Sequence, residues 1–191
     1  MKSVKQIVIL CCLVHACLSQ VLSKGVCNQQ LPTVKNFDAN RYLGRWYEQQ
    51  KYPFIFELGG KCIYAQYGLL QNGDISVYNF NINELTGAPK DIRGSAKIVG
   101  PAKLVVTFDN MPAFAGGANY WVLDTDYENY AVVYSCTDIL GFLKGQVVWI
   151  LTRERDPKPQ YIEQARELIK QLGLSLGPLQ RTNQNGCDSS N

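Results

Sequence analysis

The sequence predicts an all-β domain, folded as an up-and-down barrel or a sandwich, with one C-terminal helix packed outside it. Three observations carry that class. Short apolar segments follow one another with turn-forming residues between them, and apolar side chains inside the segments alternate with a period of two. One later segment switches to the helical rhythm.

After a polar lead-in from Val21 to Asn40, strands are predicted at Tyr42–Gln50, Lys61–Leu70, Asp74–Ile82, Asp91–Val99, Ala102–Asp109, Ala118–Asp124, Asn129–Cys136 and Gly145–Arg153. The breaks fall at Asn72-Gly73-Asp74, Thr86-Gly87-Ala88, Gly100-Pro101, Gly116-Gly117 and Asp126–Asn129, residues that tolerate positive φ or pre-set φ as tight hairpins require. Within the strands, Leu104, Val106 and Phe108 oppose Lys103, Val105 and Thr107, and Gly94, Ala96 and Ile98 oppose Arg93, Ser95 and Lys97. From Tyr161 the apolar residues fall at Ile162, Ala165, Leu168, Ile169 and Leu172, with Glu163, Arg166, Glu167 and Lys170 between them. Pro157 and Pro159 precede this helix and Gly173 closes it. Its apolar stripe needs a surface to cover, and the outside of the β structure supplies one.

Length and composition fit a single domain. The chain has 191 residues, 46% of them apolar, too many for a disordered chain. A net charge of +3 with no run of Lys or Arg gives no electrostatic grip on nucleic acid. Met1–Lys5 is basic, Gln6–Leu18 is apolar and short, and small residues stand at Cys17 and Ser19. This reads as a signal peptide over residues 1–19, cut after Ser19, followed by one domain over 20–191 and a secreted, extracellular protein. The run is too short for a membrane span, which takes about 20 apolar residues. A lipoprotein signal ending at Cys17 fits less well, because His15 stands two positions before it.

Cleavage removes three of the seven Cys and the single His. The four that remain, Cys27, Cys62, Cys136 and Cys187, read as two disulfides with three pairings open. Without His or Cys-x-x-Cys a zinc site is not expected. The commonest general base is missing, and two bridges leave no free thiol, so catalysis is disfavoured. No Asn-x-Ser/Thr occurs and no hydrophobic run follows Leu179, so neither ordinary N-glycans nor a glycolipid anchor is expected.

Four features coincide in order: Asn36-Phe37-Asp38 before Gly44-Arg45-Trp46-Tyr47-Glu48, then Thr125-Asp126-Tyr127, then Arg153 after Trp149-Ile150-Leu151-Thr152, then the helix. Together they resemble the lipocalin family across essentially the whole mature chain. The stretch from Trp121 to Cys136 is similar to the apolipoprotein D-like branch, with its insect Lazarillo-type and bilin-binding members. The resemblance implies an eight-stranded antiparallel barrel, closed at one end and open at the other, around a small hydrophobic ligand. It implies that Trp46 closes the bottom with Arg153 stacked over its indole, and that Gly44, Trp46, Thr125, Asp126, Tyr127 and Arg153 serve the fold. It also implies the pairings Cys27–Cys136 and Cys62–Cys187.

Parity with Arg153 turns Trp149 and Leu151 inward. By similarity to the family, Tyr67 and Asn79 line the cavity, and Tyr120, Tyr134 and Glu48 join the candidates. Such a wall holds an apolar molecule by burial and orients it through a few polar groups. The alternative is a small barrel filled by these side chains.

Three apolar loops share one end of an up-and-down barrel: Tyr52-Pro53-Phe54-Ile55-Phe56, Met111-Pro112-Ala113-Phe114 and Ile139-Leu140-Gly141-Phe142-Leu143. They are expected either to dock on a membrane or lipoprotein or to fold inward as a lid. The reading is a carrier of a fatty acid, sterol, retinoid or similar lipid, monomeric or weakly dimeric, with no metal or resident cofactor. A bilin-carrying pigment protein is its alternative. Lipocalins that isomerise prostaglandins need a reactive cavity thiol, which the two bridges would leave out.

Overall fold

A computed structural model describes residues 21–53, 59–109 and 117–187. The leader and the loop residues Phe54, Ile55, Phe56, Met111 and Phe114 lie outside the described residues. The elements are β1 (Val21–Lys24), α1 (Ala39–Tyr42), β2 (Gly44–Lys51), β3 (Gly60–Leu69), β4 (Ile75–Asn83), β5 (Pro89–Gly100), β6 (Lys103–Phe108), β7 (Ala118–Thr125), β8 (Tyr130–Ile139), β9 (Leu143–Thr152), α2 (Pro159–Gln171) and β10 (Gln180–Arg181). From β2 to β9 each strand pairs antiparallel with the next. Pairing of β2 with β9 closes them into an eight-stranded barrel rather than a sandwich. Closure removes the free edges that an open sheet exposes.

The structure adds three elements to those read from the sequence. Strand β1, from the lead-in, pairs with β9 beyond the point where β2 leaves it. Strand β10 pairs with β2. Tyr42 belongs to the one-turn helix α1, not to the first strand. Asp38 caps α1 by accepting from the amides of Asn40 and Arg41. The chain then turns at Gly44, whose φ of +94° suits glycine, into β2.

Two further details differ from the alternation. Ile98 was expected to face inward with Ala96, yet it is 51% exposed: it keeps the register of Ala96 against β6, but β4 stops at Ile75, opposite Ala96, and leaves Ile98 uncovered on that side. Strands β8 and β9 run on to Ile139 and from Leu143, so the apolar stretch between them is a hairpin tip of Leu140, Gly141 and Phe142. Leu140 and Gly141 both turn through positive φ there.

Strands β8 and β9 are buried on both faces, since α2 covers their outer side. Ala165 and Ile169 press onto Val132, Val148 and Ile150. Burying Ile169 alone contributes about 1.5–3 kcal/mol. The inner core is separate and holds Trp46, Tyr42, Val77, Leu104, Val133 and Leu151. Disulfides join Cys27 to Cys136 and Cys62 to Cys187, with Cα atoms 5.8 and 5.7 Å apart. The first ties the lead-in to β8, and the second ties the tail to β3.

Candidate functional site

The closed end is built around Trp46, which is fully buried. The Arg153 guanidinium lies 3.8 Å over its ring, and the indole N–H donates to the Tyr42 carbonyl at 2.8 Å. Arg153 also donates to the carbonyls of Tyr127, Arg45 and Arg41 at 2.9, 3.0 and 2.7 Å. A side chain at Gly44 would put its Cβ 3.2 Å from Arg153 Nη1, so glycine serves the close approach as well as the turn. Asp126 organises the β7–β8 loop by accepting from the amides of Glu128, Asn129 and Tyr130 and from the Asn129 side chain. Partial burial pushes its carboxyl up, and those hydrogen bonds outweigh it, holding it below the usual aspartate range. Thr125 accepts from the Tyr127 amide and donates to the Tyr130 carbonyl. These residues brace the bottom of the barrel and lie outside the cavity wall.

Above this floor is a cavity of about 120 Å³. Apolar side chains dominate its wall, among them Val77, Val106, Phe108, Val147 and Leu151, with Trp149 turned inward as parity predicts. Its base is a cluster of tyrosine hydroxyls: Tyr67 donates to Tyr120 at 3.0 Å, and Tyr120 and Tyr42 share a bond of 2.8 Å. Burial first, then the neighbouring phenols, hold Tyr42 and Tyr120 well above the usual tyrosine range, so both stay neutral donors.

Glu48 is the charged member of the wall among the described residues. Lys51 Nζ lies 2.9 Å from its carboxylate, and the Thr182 hydroxyl donates to the same oxygen. Asn79 differs: its Oδ1 is buried and, among the described residues, has no hydrogen-bond partner. An amide oxygen stripped of water and left unmet costs free energy that a ligand donor recovers.

Of the residues expected in the wall, Glu48, Tyr67, Asn79, Tyr120 and Trp149 come together there. Tyr134 does not. It faces outward from β8, its ring 6.0 Å from Trp121 and its hydroxyl donating to Gln146. Burial, then nearby Tyr52 and Asp138, push its hydroxyl up to about 12. The inward positions of β8 at that level are Ser135 and Thr137. Sequence reasoning missed Ser135 because Tyr130–Cys136 is almost wholly apolar on both faces and alternation leaves no mark; it also missed Thr137, just past that run, and Asn119 on β7. The described residues hold no cluster able to bind a metal ion and no helix long and apolar enough to cross a membrane.

A closed eight-stranded barrel with an arginine-capped tryptophan at one end and an apolar cavity above it defines a small-molecule binding barrel. Comparison with known proteins agrees. A family model described as a lipocalin-like domain matches residues 37–184. Apolipoprotein D of Mus musculus is 41% identical over 160 residues, covering 82% of each chain. The Lazarillo protein of Schistocerca americana is 32% identical over 157 residues, covering 79% of this chain and 72% of its own. Among solved structures, insecticyanin from the tobacco hornworm Manduca sexta superposes with a TM-score of 0.75 at 23% identity, covering 90% of this chain and 91% of that one. The chain belongs to the lipocalin family, and its sequence is apolipoprotein D-like.

Proposed function

We propose that this lipocalin is a secreted carrier of a small hydrophobic molecule that brings a hydrogen-bond donor to Asn79. Lipids with a hydroxyl, such as sterols and retinols, meet that requirement, as does an undissociated fatty acid; each is larger than the space enclosed above the floor and would extend from Asn79 through the open end. The observation that carries the reading is the unmet Asn79 Oδ1 in a mostly apolar cavity. Two disulfides suit the oxidising conditions outside the cell, and they use every Cys of the described residues, which favours a carrier over a thiol enzyme.

Titration with all-trans-retinol, followed by quenching of tryptophan emission, is the direct test. Saturable quenching is expected, because Trp149 stands in the wall. Replacing Asn79 by Leu should weaken retinol about tenfold, the worth of one buried hydrogen bond, and leave the hydroxyl-free hydrocarbon analogue nearly unaffected. Equal effects on both would remove Asn79 from the reading. An absorption band in the visible from protein of the native source, with a tetrapyrrole released by solvent, would replace the lipid by a bilin.

The exposed apolar residues of the open end support docking on a lipid surface. Leu85, Leu140 and Phe142 are 94%, 81% and 60% exposed, on the loops after β4 and β8 that share this rim. Exchange of Leu140 and Phe142 for Ser should lower binding to phosphatidylcholine vesicles about tenfold, since partial burial of each contributes about 1 kcal/mol or more. Unchanged co-sedimentation would end the docking idea.

A further inference from the structure

The wall of the barrel has a seam, and the C-terminal tail fills it. Strand β2 pairs with β3 only from Gly44 to Tyr47. Beyond Tyr47 the two strands separate, and the edge that β2 leaves open is taken by the tail. Gln180 and Arg181 pair with Lys51 and Gln50, and the Thr182 amide donates to the Gln49 carbonyl at 2.9 Å. On its other side the tail reaches β3: the Cys62 amide donates to the Asn183 carbonyl at 2.9 Å. The Gln184 side-chain amide spans the gap, donating to the carbonyls of Glu48 on β2 and Ile63 on β3, each at 2.8 Å.

Thr182 and Gln184, half-buried, alternate with exposed Arg181, Asn183 and Asn185, so the tail turns one face into the seam. That face is close to the ligand site, because Glu48, Ile63 and Tyr64 flank the seam and belong to the cavity wall. The Thr182 hydroxyl is itself a partner of the Glu48 carboxylate.

What fixes the end of this insert is the Cys62–Cys187 bridge. The two disulfides differ in access. Cys27 and Cys136 are both buried, as is Cys62, whereas Cys187 is half-buried on the outer end of the tail, which leaves the tail bridge approachable from one side. Thiol–disulfide exchange requires an approach to sulfur, so the tail bridge is the one that a soluble dithiol reaches first. A thiolate of the dithiol attacks Sγ of Cys187 and displaces Cys62 as a thiolate, which takes up a proton. The second thiol of the reductant then closes its own disulfide and releases Cys187, leaving two protein thiols and one oxidised dithiol.

We propose that the tail is a reducible plug in the side of the barrel, and that opening Cys62–Cys187 creates a lateral exit for the ligand between β2 and β3. The proposal rests on the carrier reading for its consequence and on the tail geometry for its mechanism. With the bridge open, the remaining ties are two ladder pairs and a handful of hydrogen bonds near the surface, the kind that open locally without global unfolding.

The test uses the full mature chain loaded with all-trans-retinol. Limited treatment with dithiothreitol, alkylation and peptide mapping should place the first two adducts on Cys62 and Cys187. Retinol transfer to acceptor vesicles should then accelerate at least tenfold, and a Cys62→Ser/Cys187→Ser variant should be equally fast without reductant. Reduction of Cys27–Cys136 first, or unchanged transfer from a variant with native near-ultraviolet dichroism, overturns the proposal. Should the variant not fold, the reduced wild-type chain gives the same reading. Hydrogen exchange separates this idea from the carrier reading. If retinol does not bind at all, faster exchange at the amides of Cys62 and Thr182 on reduction, with β8 and β9 still protected, supports the plug. Unchanged exchange at those amides overturns it.

Discussion

Replacement of Arg153 by Ala is expected to lower the stability of the domain by about 3–5 kcal/mol, a large part of what a domain this size holds. The guanidinium acts in two ways at once. Its face covers the Trp46 indole at 3.8 Å, a contact worth about 1–2 kcal/mol when water is excluded. Its edges satisfy three backbone carbonyls, of Tyr127, Arg45 and Arg41, from three different segments of chain. Each charge-assisted bond contributes about 1 kcal/mol or more, and at Tyr127 and Arg45 its removal leaves a partly buried carbonyl that water reaches less well. Lys at this position keeps the charge and loses the planar fork, so it should recover less than half of the loss. Urea unfolding measures both variants. A red shift of tryptophan emission should accompany the Ala variant, since the upper face of Trp46 becomes wet. A loss under about 1 kcal/mol would mean that the barrel bottom closes without this residue.

How far the sequence reaches can be judged at particular residues. The eight barrel strands and the outer helix were legible because each has one face that must be buried, and burial writes a period of two or 3.6 into the chain. Trp149 was placed by parity alone. Tyr134 was not, since helix α2 covers the outer face of β8 and both faces of that strand became apolar. Strands β1 and β10 left no pattern, because short strands at the barrel seam exist through the edges that β9 and β2 offer them. Ile98 kept the alternation and lost its burial because β4 ends opposite Ala96, two residues before it. The disulfide pairing and Asn79 came from resemblance to a family, not from spacing. The unmet oxygen of Asn79, the plugged seam and the tyrosine cluster needed coordinates, because each depends on groups distant in sequence meeting in space.

Gly94 shows the same limit from the side of packing, and it carries the second large effect. Its φ needs no glycine, so nothing in turn chemistry reserves the position. The constraint is spatial. A Cβ there would sit 2.1 Å from the Thr107 carbonyl oxygen and 3.0 Å from Phe108 Cα, both backbone atoms of β6 that cannot rotate away. Gly94 pairs with Phe108, and the Asp109 amide donates to the Arg93 carbonyl beside it, so relief requires β5 and β6 to splay. Overpacking against backbone and the loss of one or two ladder bonds together cost about 3–4 kcal/mol in Gly94→Ala. For a domain of this length that lowers Tm by roughly 6–15 °C. Gly87→Ala is the contrast: its φ is +70° with nothing within 4 Å, so conformational strain alone costs about 1 kcal/mol. The Gly94 effect also reaches the cavity, since Val106 and Phe108 on the displaced strand line it. Retinol affinity should therefore fall in Gly94→Ala and hold in Gly87→Ala at a temperature where both are folded. Equal Tm losses in the two variants would show that glycine at position 94 serves backbone freedom rather than the close approach of β5 to β6.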